Sequence, residues 1–223
     1  PNAILCAGAG DNAGAAVGTN TLREGDCSIS LGTSGTIFLP CDEFNTECGT
    51  ALHNFAHSNG KFHLMGCILS AASCNKWWIR DILDTNYGDP AEPKYGQTGV
   101  WFLPYLTGER CPHNDVNARG SFIGMTMDTS RADMIQAVLE GVAFAIRDSV
   151  EVAKSLGIQI TSSKICGGGA KSALWKRILA NVLNIRLECP ESEQGPGMGG
   201  AMLAMVACGA YDSVKAVCDR FVR

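Results

Sequence analysis

Gly8-Ala9-Gly10-Asp11-Asn12 sets one carboxylate between a glycine turn and a run of small residues. Further on, Ser30-Leu31-Gly32-Thr33-Ser34-Gly35 puts a small-residue turn between two apolar runs, 27–31 and 36–39. A carboxylate can take the proton of a hydroxyl, and a turn of glycines and hydroxylated residues can present amides to phosphate. Together they are the minimal equipment for moving a phosphoryl group onto a hydroxyl. Each piece also has a plainer reading. Asp11 can cap a helix, Asn12 can serve the same cap or bond a polyol, and residues 32–35 can be a tight hairpin turn. Gly167-Gly168-Gly169-Ala170 follows a strand-like run and precedes a helix. Three glycines allow close approach of a flat ligand, or simply tight packing.

Other chemistries fit less well. There is no Walker A loop, and Gly167-Gly168-Gly169-Ala170 is not a G-x-G-x-x-G fingerprint. No nucleophile elbow surrounds a serine. His53, His57, His63 and His113 do not follow a zinc-ligand pattern. Residues 106–115 are dense in polar groups inside a long irregular stretch, 104–120, of the kind that is often functional. The chain of 223 residues carries a net charge of −4 without a block of like charges, which argues against a nucleic-acid surface. No apolar run approaches the roughly 20 residues of a membrane span. The eleven cysteines are scattered, odd in number and without C-x-x-C spacing. They read as reduced, mostly buried thiols in a cytoplasmic protein.

The elements that must position these residues are legible in part. Residues 4–7 read as a strand end, and Asp11 as the N-cap of a helix over 12–17. Residues 27–31 and 36–40 read as a hairpin, and 51–57 and 61–69 as a second pair turning at Asn59-Gly60. Residues 70–83 read as a helix, 85–98 as loop and 100–103 as a short strand. Apolar positions from Met134 to Leu156 recur at three-or-four spacing, which predicts a helix over 131–157 ended by Gly157. A strand at 164–166, a helix at 172–183, a strand at 186–189 and helices at 199–208 and 213–222 complete a single α/β domain. The abrupt apolar start and the helical pattern running to Arg223 suggest a piece of a longer protein.

In this order the motifs resemble the C-terminal domain of the FGGY carbohydrate kinase family, over essentially the whole chain. Residues 29–35 (ISLGTSG) fit its phosphate turn. Gly120–Met125, Asp133-Met134 and Ala137–Glu140 fit its second signature. Residues 69–74 and Gly108-Glu109-Arg110 with 112–115 look like its xylulokinase branch rather than glycerol kinase. The resemblance implies an actin-like ATPase (ribonuclease H-like) fold, a mixed central sheet flanked by helices. Asp11 would be the catalytic base, touching the sugar together with Asn12. Gly32, Thr33 and Ser34 would hold phosphate and Gly108 would lie on the nucleotide side. Gly168, Gly169 and Ala170 would form the adenosine motif, with Ser172 near the base pocket. The implied reaction uses ATP and Mg²⁺ to phosphorylate a sugar, D-xylulose before ribulose, gluconate or glycerol. The other class of function open to the scaffold is a non-catalytic nucleotide or sugar sensor. Cys111 stands where the family often has threonine, and Val116 where it often has proline. The family's N-terminal domain supplies another phosphate loop, much of the magnesium site and most sugar contacts. It would be this chain's partner, without which the fragment should catalyse little or nothing. A homodimer is compatible with the residues and not required by them.

Overall fold

The structure is a computed structural model that describes residues 3–86, 88–190 and 195–222. Its centre is a six-stranded sheet in the order β3-β4-β2-β1-β7-β8. The strands are β1 (Ser28–Leu31), β2 (Gly35–Cys41), β3 (His53–Ala56), β4 (Phe62–Ile68), β7 (Ser162–Cys166) and β8 (Arg186–Glu188). β1, β2, β4 and β3 pair antiparallel in that spatial order, with β3 on the outer edge, whereas β7 and β8 continue from β1 in parallel. The sheet is therefore mixed, as expected. A separate hairpin pairs β5 (Trp101–Leu103) with β6 (Ser121–Ile123).

The long helix α3 (Arg131–Ser155) covers one face of the sheet. It starts on a capping box: Ser130 Oγ accepts from the Asp133 amide at 3.1 Å, and Asp133 Oδ2 accepts from the Ser130 amide at 3.0 Å. It closes with Gly157 at φ +84°, a backbone region open to glycine at little cost. Val138, Val142, Ala145, Ser149 and Ala153 are buried along it, as the spacing predicts. Its approach is close enough that a Cβ on Gly66 of β4 would lie 2.8 Å from the Ser149 side chain. α4 (Ala173–Leu183) packs on α3, and Trp175 Nε1 donates to the Leu139 carbonyl at 3.0 Å. On the opposite face of the sheet, His63 stacks on Phe38 with ring centroids 4.0 Å apart.

A second apolar cluster joins α1 (Asp11–Gly18), α5 (Gly195–Ala207) and α6 (Val214–Phe221) through Val17, Met202, Val217 and Cys218. α1 and α5 touch through their backbones. A Cβ on Gly18 would lie 2.0 Å from the Gly195 carbonyl oxygen, and one on Gly199 only 1.8 Å from that of Gly14. Two Gly-x-x-x-Gly stripes thus form the crossing. Substituting either pair with side chains would force the helices apart.

Several expectations need correction. Residues 4–7 form no strand: Ile4 is 63% and Leu5 96% exposed, and among the described residues no neighbouring strand offers them a ladder. The N-cap of α1 is Gly10, with no side-chain capping bond, and Asp11 is the first helical residue. Residues 70–83 split into α2 (Ala72–Lys76) and a wider π-turn at Trp77–Ile82. α5 begins at Gly195, four residues earlier than expected, because Pro196 is tolerated in a first turn. α6 ends at Phe221, with Val222 extended. β6 was not expected at all, being too short to show a period. Among the described residues no helix is long and apolar enough to cross a membrane.

Candidate functional site

Asp11 stands exposed at the head of α1, where the helix dipole favours a negative charge. One oxygen is committed: Oδ1 accepts from the Asn12 amide at 2.8 Å and from Asn12 Nδ2 at 3.3 Å. Asn12 Oδ1 in turn accepts from Thr36 Oγ1 at 3.3 Å. That bond ties the head of α1 to the first turn of β2, directly beyond residues 32–34. The Gly8–Asn12 and Ser30–Gly35 segments therefore meet in space. With Oδ1 held by its neighbour, Oδ2 is the oxygen open to a hydroxyl.

The turn between β1 and β2 lies against the segment entering α2. The Ala72 amide donates to the Gly32 carbonyl at 2.9 Å. The Thr33 carbonyl accepts from the Ala71 amide at 2.9 Å and from Ser73 Oγ at 2.7 Å. Ser34 Oγ donates to the Leu69 carbonyl at 3.2 Å, so its proton serves the fold and only its lone pairs remain for a ligand. Thr33 is exposed. Gly35 admits no side chain, since a Cβ would sit 2.8 Å from Ile68 and 3.1 Å from Ala71.

The glycine run leaves β7 beside this turn, because β7 runs parallel to β1 with Ser30 opposite Cys166. Gly167 has φ +90°, and a Cβ there would lie 2.7 Å from the Leu31 carbonyl. Gly169 would meet Leu31 at 2.8 Å and Trp175 at 2.9 Å. These two glycines are therefore explained by packing. Gly168 has no protein atom within 4 Å of such a Cβ. With Ala170, Lys171 and Lys176 it lines an open cleft of about 610 Å³. Ser172 is the N-cap of α4, accepting from the Trp175 amide at 2.9 Å and donating to Asp89 Oδ2 at 2.6 Å. It stands at the edge of the glycine run, but its hydroxyl is already used.

Gly108 is buried at φ +80°, with Val116 O 2.9 Å from where its Cβ would be, and it does not line the cleft. Its neighbour Thr107 reaches Ser70 through hydroxyls 3.0 Å apart, which keeps this loop beside the turn. Next to it, Glu109 is a buried carboxylate whose Oε1 accepts from the Arg110 amide at 2.6 Å, and burial raises its pKa. A different cleft of about 480 Å³, at the far end of β2, is lined by Glu24, Asp42, Glu43 and Glu47 and would repel phosphate.

Sequence reasoning missed Thr36, Ser73 and the Gly14/Gly18–Gly195/Gly199 crossing. Only the last left a signal, the four-residue spacing of the glycines. Among the described residues no group of three or more His, Cys, Asp or Glu side chains could hold a metal ion. All eleven cysteines are free.

Comparison with known proteins gives a consistent result. The model of the FGGY family of carbohydrate kinases, C-terminal domain, matches residues 27–208. The xylulose kinase of Klebsiella pneumoniae is 39% identical over 215 residues, covering 93% of this chain and 44% of that protein. Among solved structures, a xyloylose kinase from Brucella ovis superposes with a TM-score of 0.86 at 39% identity, over 94% of this chain and 44% of its own. A gluconate kinase from Lactobacillus acidophilus gives 0.84 at 25% identity, with the same coverage. The chain spans less than half the length of these relatives.

Proposed function

Because this chain belongs to the FGGY family of carbohydrate kinases, as its C-terminal domain, we propose that it supplies the base and much of the nucleotide site of a cytoplasmic sugar kinase. The substrate pair is ATP and D-xylulose, and the products are ADP and D-xylulose 5-phosphate. The observation that carries this reading is the Thr36–Asn12–Asp11 connection, which fixes a half-free carboxylate beside a turn built for phosphate.

In the reaction, Oδ2 of Asp11 accepts the proton of the sugar's terminal hydroxyl as that oxygen attacks the γ-phosphorus. The bond between the γ-phosphorus and the bridging oxygen breaks, and ADP leaves with the electron pair. The turn at 32–34 holds the transferred group in line, and Gly168 gives the nucleotide a surface without side chains. Such transfers depend mainly on positioning and charge stabilisation. Magnesium would enter with the nucleotide and neutralise charge on its phosphates. The remaining sugar contacts belong to an N-terminal domain, which closes over the cleft and excludes water. Self-association into a homodimer is part of the same proposal.

The test is ADP release by the full-length protein with ATP, Mg²⁺ and a panel of D-xylulose, ribuloses, gluconate and glycerol. Selective turnover of D-xylulose is expected. Selective turnover of another sugar would overturn the substrate, and ATP binding without turnover would favour a sensor. Asp11→Asn should lower kcat by about 10³-fold or more while ATP binding stays within twofold of wild type. Near-normal turnover in that variant would remove Asp11 as the base.

A further inference from the structure

A turn binds phosphate only if its amides, and not its carbonyls, face the ligand. In a trans peptide the C=O of one residue and the N–H of the next point in opposite directions. Fixing the Gly32 carbonyl therefore aims the Thr33 N–H, and fixing the Thr33 carbonyl aims the Ser34 N–H. Both carbonyls are drawn onto the segment entering α2: Gly32 O by the Ala72 amide at 2.9 Å, Thr33 O by the Ala71 amide at 2.9 Å. Among the described residues neither the Thr33 nor the Ser34 amide has an acceptor of its own. The shortest bond on the turn comes from a side chain, Ser73 Oγ to Thr33 O at 2.7 Å. The Ser73 amide reaches the same carbonyl only at 3.4 Å. Without the hydroxyl, one peptide of the turn would keep a single good anchor.

We propose that Ser73 is a positioning residue for ATP: its hydroxyl locks the Thr33–Ser34 peptide so that the Ser34 amide faces the nucleotide phosphates. The proposal rests on the kinase reading above. Ser73 does not touch the ligand; it acts through the orientation of a backbone amide that does. Its contribution is therefore specific to the phosphates and absent for adenosine.

The experiment uses the full-length protein and compares ATP with adenosine by calorimetric titration and by ATP-dependent turnover. Ser73→Ala should weaken ATP about five- to tenfold, the fold-change of one hydrogen bond. Adenosine affinity and the KM for sugar should stay within twofold. Ser73→Thr keeps the hydroxyl and should restore ATP affinity. If Ser73→Ala does not fold, Ser73→Cys, whose thiol is a weaker donor, replaces it with the same expected ordering. Equal losses for ATP and adenosine would show a merely structural role and overturn the proposal. So would unchanged ATP affinity, or a Ser73→Thr protein as weak as Ser73→Ala. Absence of sugar-dependent turnover in the wild-type protein would instead refute the kinase reading, so the two failures are separable.

Discussion

Gly199→Ala tests whether the glycine crossing of α1 and α5 places Asp11. The new Cβ would lie 1.8 Å from the Gly14 carbonyl oxygen and 3.0 Å from the Gly18 nitrogen, both backbone atoms that cannot rotate away. Restoring ordinary contact requires the helices to part by roughly 1.5 Å, in an interior packed at crystal density. Overpacking of this kind costs about 1–3 kcal/mol. Alanine is intrinsically better than glycine inside a helix by about 1 kcal/mol, so any net loss understates the clash. The internal control is the next residue: Gly200 has nothing within 4 Å of its would-be Cβ. Gly200→Ala should be neutral or slightly stabilising. Urea denaturation of the full-length protein should show a lower midpoint for Gly199→Ala, with Gly200→Ala at or above wild type. Turnover should follow, because α1 carries Asp11 and a displacement of about 1 Å at a reacting group costs about 10²-fold. A Gly199→Ala protein with wild-type stability and kcat would refute both the crossing and its link to the base.

Two further outcomes follow from the site and the sheet. Gly169→Ala would press into Leu31 and Trp175 and should lower the thermal midpoint, at about 1–3 kcal/mol; Gly168→Ala should leave the midpoint unchanged yet raise the KM for ATP, and the reverse pattern would contradict a nucleotide on Gly168. His63 is held neutral between Phe38 and Phe55 by burial, with His57 a lesser cause, and its pKa falls from 6.5 to about 4. Its contribution to stability is therefore complete above pH 6.5 and is lost as pH falls from 6.5 through 4. His63→Phe keeps the stacking and should lose less stability over that window; identical pH slopes for the two proteins would refute this account.

Much of the scaffold was readable because its signals are local. The β1–β2 hairpin follows from a small-residue turn between apolar runs, and α3 from a long periodic stripe with a glycine after it. The glycine run at 167–169 was readable as a close approach, though not as two packing glycines flanking one open one. Where the reading failed, tertiary contacts decided. An apolar stretch such as 4–7 becomes a strand only if a ladder is beside it. A glycine- and proline-rich segment such as 195–200 becomes a helix because α1 accepts its bare backbone. The links that turn motifs into a site, Thr36 to Asn12 and Ser73 to Thr33, join residues 24 and 40 positions apart and leave no period in the sequence.

Leu31 ends β1 with the hairpin turn directly after it, and both Gly167 and Gly169 press against it from the segment leaving the neighbouring strand β7. The two loops proposed to face the nucleotide thus share one strut, although Leu31 and Cys166, the last residue of β7, lie far apart in the sequence. Retuning nucleotide preference by swapping either loop alone would strain the other. A donor loop from a relative would have to arrive with its opposite number and with a residue of leucine's shape between them.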